Sequence, residues 1–334
     1  MRKVTIQDVA ERAGVSKSTV SQYINKRYEY MSEETKKRIE EAINDLGYIP
    51  NYVAKSLKQK RTSALGVIVA NILHTFSTEI IRAIEDVCVE NGVHLFVCNA
   101  DDDPDKERSY IEKLMAKQVD GLIIFPNREN HDLYLELKKM NFPIVFVDRM
   151  VKKPIYPILL LDNEKAAEMA VEELIQKGKT KIAVVSTSIA RKITPRVERL
   201  AGYRKTLIKH GLETKEEWII AVERELIVQR LDQLWQQPDR PEGFFAVNDL
   251  SLIELMKFLR KKNIRIPDDV SVTAIDDSPF LEIFTPPITV VKQPTFDIGT
   301  EAATIILSMI SNATLLDQYG IKRFQPTLIR RDSV

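Results

Sequence analysis

The chain has 334 residues, too many for one ordinary core, so a multidomain protein is expected. Its 49 Lys/Arg nearly balance 48 Asp/Glu, yet residues 1–61 hold 13 basic against 8 acidic side chains, which points to a polyanion partner at that end. Membrane, exported and metal-dependent classes are set aside. No apolar run approaches the roughly 18 residues of a membrane span, Met1-Arg2-Lys3 leads into a polar periodic pattern, and four scattered histidines lack metal-ligand spacing.

Three short helices are predicted over the first 50 residues. Thr5 caps the first, Val9 and Ala10 form its inner face, and Gly14 ends it. Ser16 caps the second, anchored by Val20 and Ile24. Ser32-Glu33-Glu34-Thr35 opens the third, which runs through Ile39, Ala42, Ile43 and Leu46 to Gly47. Helix, glycine-containing turn and helix make a helix-turn-helix unit. The basic segment NYVAKSLKQKR, residues 51–61, has helical spacing but is too short to be stable alone.

From residue 63 apolar strands and amphipathic stretches alternate: ALGVIVA, HLFVC, GLIIF, PIVFV and ILLL, then KIAVVS, WIIAV, GFFAV and SVTAI. Continuous apolar strands separated by helices imply parallel sheets covered on both faces. Two such series imply two α/β lobes, with ligands at the carboxyl ends of the strands in the cleft between them. Cys88 and Cys98 fall in a helix and a strand and read as reduced thiols.

The motifs VTIQDVAERAGVSKSTVSQYIN, LGYIPNYVAKSLK, VDGLI, RLAGY, AVND and the AIDD–TPPITVVKQP run resemble those of the lactose-repressor (LacI/GalR) family of bacterial transcription regulators. The resemblance covers essentially the whole chain. It implies an all-α helix-turn-helix headpiece (1–50) and a hinge helix (51–61), joined to a two-lobed α/β core (62–334) like periplasmic binding proteins. Three crossovers near Leu161, Val290 and Lys322 would make the lobes discontinuous, at about 62–161 with 290–321 and 162–289 with 322–334.

Base contacts are expected from Lys17, Ser18 and Gln22 on the outer face of the second helix. Lys17 suits guanine O6/N7, and Gln22 suits adenine N6/N7 or a mixed donor and acceptor. Many family members carry Arg at the Gln22 position, so their half-site is not transferable. Thr5, Ser16, Thr19, Ser21 and Asn25 are placed for phosphates or caps. The resemblance makes Leu57 a minor-groove wedge flanked by Lys55 and Lys58 on a hinge helix that forms on DNA and pairs with its dimer mate.

In the core, Asp148, Asn248 and Asp276 stand at strand carboxyl ends, and Arg199 of RLAGY joins them. All four match family ligand-pocket positions, and His74, Phe76 and Ser77 occupy the stretch that lines the pocket in the first lobe. The run ARKITPRVER brings Arg191, Lys192, Arg196 and Arg199 near a helix start, and Arg149 follows Asp148, which suits a carboxylate or phosphate ligand. STVSQYINKRYEYMSEETKKRIEEAI and CNADDDPDKE further resemble the branch of sugar-acid repressors that respond to 2-keto-3-deoxygluconate.

The expectation is therefore a cytoplasmic, nucleoid-associated homodimeric repressor of a carbohydrate-catabolism operon. It binds double-stranded pseudo-palindromic operator DNA, answers to a sugar or sugar-acid effector, and needs no cofactor. The alternative within the same class is a catabolite-type global regulator whose core binds a phosphorylated carrier protein. An enzyme is not expected, since the sequence offers no phosphate-binding glycine loop, G-x-S-x-G elbow or metal cluster.

Overall fold

Local capping chemistry sets the first three helices. The computed structural model describes residues 4–48, 62–312 and 320–334, which form two separate units divided at Thr62. In the first unit Thr5 and Asp8 cap each other at the start of α1 (Ile6–Ala13), and Gly14 ends it at φ 65°, a left-handed conformation that glycine adopts without strain. Ser16 caps α2 (Lys17–Ile24), and Ser32 caps α3 (Glu33–Leu46). Their core is small: Val9, Ala10, Ala13, Val20, Ile39, Ala42 and Tyr48 are buried, and Arg12 ties α1 to Asp45 of α3 at 2.7 Å. Ile24, expected beside Val20, is only partly buried.

The second unit alternates strand and helix. Its first lobe begins with β1 (Ala64–Val69), α4 (Thr75–Glu90), β2 (His94–Asn99), α5 (Pro104–Ala116), β3 (Gly121–Ile124), α6 (His131–Lys139), β4 (Ile144–Val147) and β5 (Ile158–Leu161). The chain then enters the second lobe through α7 (Asn163–Gln176), β6 (Ile182–Thr187), α8 (Thr194–Lys209), β7 (Ile219–Val222), α9 (Ile227–Trp235), β8 (Gly243–Ala246), α10 (Asp249–Lys262), β9 (Ser271–Ile275), α11 (Pro279–Glu282) and β10 (Thr289–Lys292). It returns to the first lobe for α12 (Thr295–Ser311) and β11 (Ile321–Phe324), and ends in the second with β12 (Thr327–Ile329).

The sheet orders are β11-β5-β4-β3-β1-β2 and β12-β10-β9-β8-β6-β7. Each sheet has a buried apolar cluster on both faces, as uninterrupted Val/Ile/Leu strands require. β10 pairs with β9 through Val291 and β11 pairs with β5 through its last residue, Phe324, so the chain changes lobes after those residues. Two details depart from expectation. β12 runs antiparallel to β10. Since β11 is parallel to β5, it ends at the strands' carboxyl edge, and the chain re-enters the second sheet from that same edge. Finally, HLFVC forms an edge strand, with Phe96 and Val97 about two-fifths exposed instead of buried.

Helix packing explains part of RLAGY. A Cβ on Gly202 would lie 2.6 Å from the Glu164 carbonyl and 2.8 Å from the Ala167 Cβ, so only glycine lets α8 approach α7 this closely. Cys88 is a buried free thiol, pushed up to about 11 by burial, and Cys98 is a partly buried free thiol. No helix among the described residues is long and apolar enough to cross a membrane.

Candidate functional site

Two surfaces carry chemistry, one in each unit. In the first, Val20 is fully buried while Lys17, Ser18 and Gln22 are exposed on the same helix. At about 100° per residue these three fall within an arc of about 140°, with Ser18 and Gln22 on the side away from Val20 and Lys17 at its flank. Lys17 forms no ion pair among the described residues. Ser16 Oγ accepts from the Thr19 amide at 3.1 Å and lies 2.7 Å from Ser18 Oγ and 2.8 Å from Thr19 Oγ1, a hydroxyl chain at the helix start. Asn25 donates Nδ2 to the Ser21 carbonyl at 2.7 Å and ends the helix, so its amide is engaged locally. Thr5 bonds the Asp8 carboxylate and amide. Lys55, Leu57 and Lys58 of the hinge lie outside the described residues.

In the second unit, the carboxyl ends of both sheets face one cleft, and hydrogen bonds cross it. His74 occupies the N-cap position of α4 without a side-chain cap bond; its Nδ1 lies 2.5 Å from Asp249 Oδ1, while the Thr75 amide donates to Asp249 Oδ2 at 2.9 Å. Burial alone would depress the His74 imidazole, but the hydrogen bond and charge of Asp249 outweigh it and hold its pKa above the ordinary value. For Asp249, burial would raise the carboxyl, but His74 holds it low.

A second crossing is cationic. Asp102, after β2, accepts from Arg149 Nη2 at 2.5 Å on Oδ1 and from Arg196 Nη2 of the other lobe at 3.1 Å on Oδ2. Its carbonyl also accepts from Arg191. Burial opposes the charge on Asp102, yet the two guanidinium groups keep its carboxyl low. Thr194 Oγ1, at the start of α8, accepts the Met150 amide at 2.8 Å.

Between these crossings lie Asp148, Arg199, Asn248 and Asp276. Asp148 and Asp276 follow β4 and β9 in left-handed backbone conformations, at φ 72° and 82°. Such strain in non-glycine residues concentrates at binding sites. Burial raises both carboxyl pKa values. Asp276 is held by Gln293 Nε2 at 2.5 Å and by the Asp249 amide at 3.3 Å. Arg199 is buried, donating Nε to Asn163 Oδ1 at 2.9 Å and Nη1 to the Val247 carbonyl at 2.7 Å. Asn248 caps α10 by accepting the Ser251 amide at 2.9 Å, which leaves its Nδ2 donors for the cleft.

The first-lobe stretch divides. His74 faces its partner across the cleft, whereas Phe76 packs edge-to-face on Phe125 at 5.9 Å in the apolar core, and Ser77 is 2% exposed. Arg196, besides Asp102, donates to the Ser188 carbonyl at 3.1 Å. The sequence reading did not single out Asp102 or Gln293 for the pocket. Gln293 directly follows β10, so the strand-end rule that found Asp148 and Asp276 was signal enough for it. No group of three or more His, Cys, Asp or Glu suited to a metal ion occurs among the described residues.

Comparison with known proteins assigns relatives to both units. Residues 5–51 match the bacterial regulatory proteins of the lacI family, and residues 171–334 match a periplasmic binding protein-like domain. The chain is 45% identical over 333 residues to the probable HTH-type transcriptional regulator EndR of Paenibacillus polymyxa, covering 99% of this chain and 98% of that protein. It is 33% identical over 309 residues to the HTH-type transcriptional regulator KdgR of Bacillus subtilis, covering 92% and 91%. Among solved structures it resembles the Lac repressor bound to ONPG in the repressed state, at 25% identity, full coverage of both chains and a TM-score of 0.86.

Proposed function

We propose that this chain, which belongs to the lacI family of bacterial transcription regulators, is a cytoplasmic, non-enzymatic repressor of a carbohydrate-catabolism operon. It binds a pseudo-palindromic operator as a dimer and is released by a sugar acid, with 2-keto-3-deoxygluconate the leading candidate.

The observation that carries this reading is the interlobe constellation. Asp148 and Asp276 offer carboxylates to sugar hydroxyls and Asn248 offers amide donors at strand carboxyl ends, while Arg196 and Arg199 add positive charge from the first turns of α8. The surplus of guanidinium groups around Asp102 favours an acidic sugar over a neutral one. The sequence resemblance to the sugar-acid branch agrees with that charge. In this reading His74 lines the pocket directly, while Phe76 and Ser77 support the wall beneath it.

The DNA side rests on the exposed arc of Lys17, Ser18 and Gln22, with Thr5, Ser16, Thr19, Ser21 and Asn25 placing the helix against phosphates. Lys55, Leu57 and Lys58 of the hinge complete the contact in the minor groove. Dimerisation is supported by apolar side chains left in water: Phe96 and Val97 on the first-lobe edge strand, and Phe280, Ile283 and Phe284 around α11.

Calorimetry and gel shift on the full chain test the proposal, with sugar acids and a phosphorylated carrier protein as titrants. The expected result is heat from a sugar acid and release of operator by it. Heat from the carrier protein alone, with no response to small ligands, would replace this reading with a carrier-controlled regulator.

A further inference from the structure

We infer that Asn163 is the positioning residue for Arg199, its buried amide fixing the guanidinium that meets the effector and tying it to the Glu198–Arg323 ion pair at the crossovers. The inference rests on the sugar-effector reading above, which makes Arg199 a pocket residue.

Asn163 opens α7 just after the first crossover. Its side chain is not needed to start that helix, because Asp162 already accepts the Lys165 amide at 3.1 Å as the cap. The residue is only 1% exposed, so its amide must be matched inside the protein. Oδ1 accepts from Arg199 Nε at 2.9 Å, and Nδ2 donates to Glu198 Oε2 at 3.0 Å and to the Leu161 carbonyl at 3.3 Å. A flipped amide would set its NH2 group against a guanidinium and its oxygen against two oxygens, so the neighbours dictate the orientation. With both ends of the amide engaged inside the protein, Asn163 acts through its partners and not on the ligand.

Arg199 gains its direction from this contact. Asn163 holds Nε, and the Val247 carbonyl holds Nη1 at 2.7 Å. Two fixed nitrogens of a planar group fix the third, and Nη2 forms no hydrogen bond among the described residues. Burial raises the carboxyls of Asp148 and Asp276, and the charge of Arg199 opposes that rise at both, so the guanidinium lies within their electrostatic reach. The third nitrogen is therefore the one available to an effector oxygen.

The other end of the amide reaches the crossovers. Glu198 and Arg199 are successive residues of α8 in the second lobe, and Glu198 accepts from Arg323 of β11, in the first lobe, through two bonds of 2.6 and 2.9 Å. Arg323 Nη1 also donates to the carbonyl of Leu161, the last residue of β5, at 3.1 Å. Position 163 must therefore present one acceptor to a guanidinium and two protons to oxygens. Aspartate would keep the first contact but set a second carboxylate against Glu198, and an apolar residue would leave both partners unmatched.

The test measures binding of 2-keto-3-deoxygluconate and of glucose to the full chain by calorimetry, and solvent exchange of the Arg199 Nε proton by proton–nitrogen NMR. Asn163→Ala should weaken binding by about tenfold or more and speed exchange of that proton by a similar factor, while the amides of the core strands keep their wild-type rates. An unchanged affinity, an unchanged Nε exchange rate, or core amides that all exchange faster in step would overturn the inference and leave Asn163 a structural residue. Should the alanine variant not fold, Asn163→Asp decides. It should bind several-fold more weakly, and adding Glu198→Gln, which gives the new carboxylate a donor, should bring affinity back to within about twofold of wild type. No recovery would overturn the tie to Glu198. Should the wild type bind neither sugar, the sugar reading above falls, and the exchange rate alone decides the positioning of Arg199.

Discussion

The headpiece and the interlobe cleft use polar side chains in opposite ways. In residues 4–48 the hydroxyls of Thr5, Ser16 and Ser32 close helix ends three residues away, and Lys17 and Gln22 stay exposed. In the cleft, Asp102, Asp249 and Arg199 are largely withdrawn from water and bonded to residues far along the chain. The difference follows from the partner. A DNA duplex is large and rigid, so its reader needs exposed groups on a short, locally stabilised helix. A small ligand supplies few contacts, so each must be made in a dry site where charge is weakly screened.

Breaking the headpiece alone is the strongest test of that division. Ile39 is fully buried in a core of seven buried residues, and Ile39→Ala should cost about 2–5 kcal/mol. Operator binding should be lost in a gel shift, while calorimetric effector affinity stays unchanged. Loss of both would mean the two units do not fold independently.

The cleft counterpart is Arg199→Ala. It leaves Asn163 and Val247 without their donor and removes the cation beside Asp148 and Asp276. Effector affinity should fall by about 2–5 kcal/mol, as for other buried charges stripped of a partner. Operator affinity without effector should be unchanged, and a variant still released normally would remove Arg199 from the pocket.

Gln22→Arg sharpens the DNA side. Selection from random half-sites should shift preference at one base pair by about 1–3 kcal/mol, toward guanine. An unchanged selected site would take Gln22 out of base readout.

The smallest expected effect concerns the His74–Asp249 pair. The raised His74 pKa means its contribution is complete below about pH 6.5, the free imidazole value, and is lost as pH rises through the folded one. The lowered Asp249 value keeps that partner ionised well into the acid range. The melting-temperature advantage of wild type over His74→Gln should therefore shrink from pH 6 toward alkaline pH. A constant difference would show a neutral hydrogen bond in place of an ion pair.

Most of the fold was legible because its signals are local. Helix starts at Thr5, Ser16 and Ser32 need only a side chain and an amide three residues on, and Gly14 and Gly47 need only a left-handed backbone. Strand identity followed from continuous apolar runs. Exceptions arose where neighbours decide exposure: HLFVC reads like its buried siblings, but it pairs on one side only and leaves Phe96 in water. Phe76 was legible as near the pocket by position, yet Phe125 turns it into the core.

By itself the sequence determined the capped helices, the polar face of Lys17, Ser18 and Gln22, and two series of buried strands whose ends carry Asp148, Asn248 and Asp276. Those properties depend on residues within a few positions of each other or on hydrophobic period. The tertiary structure alone decided that His74 meets Asp249 from 175 residues away, that Asp102 gathers Arg149 and Arg196 from opposite lobes, and that Arg149 keeps a buried donor free. Such pairs form only after three crossovers bring distant strand ends to one cleft, where low water content makes every unpaired charge count.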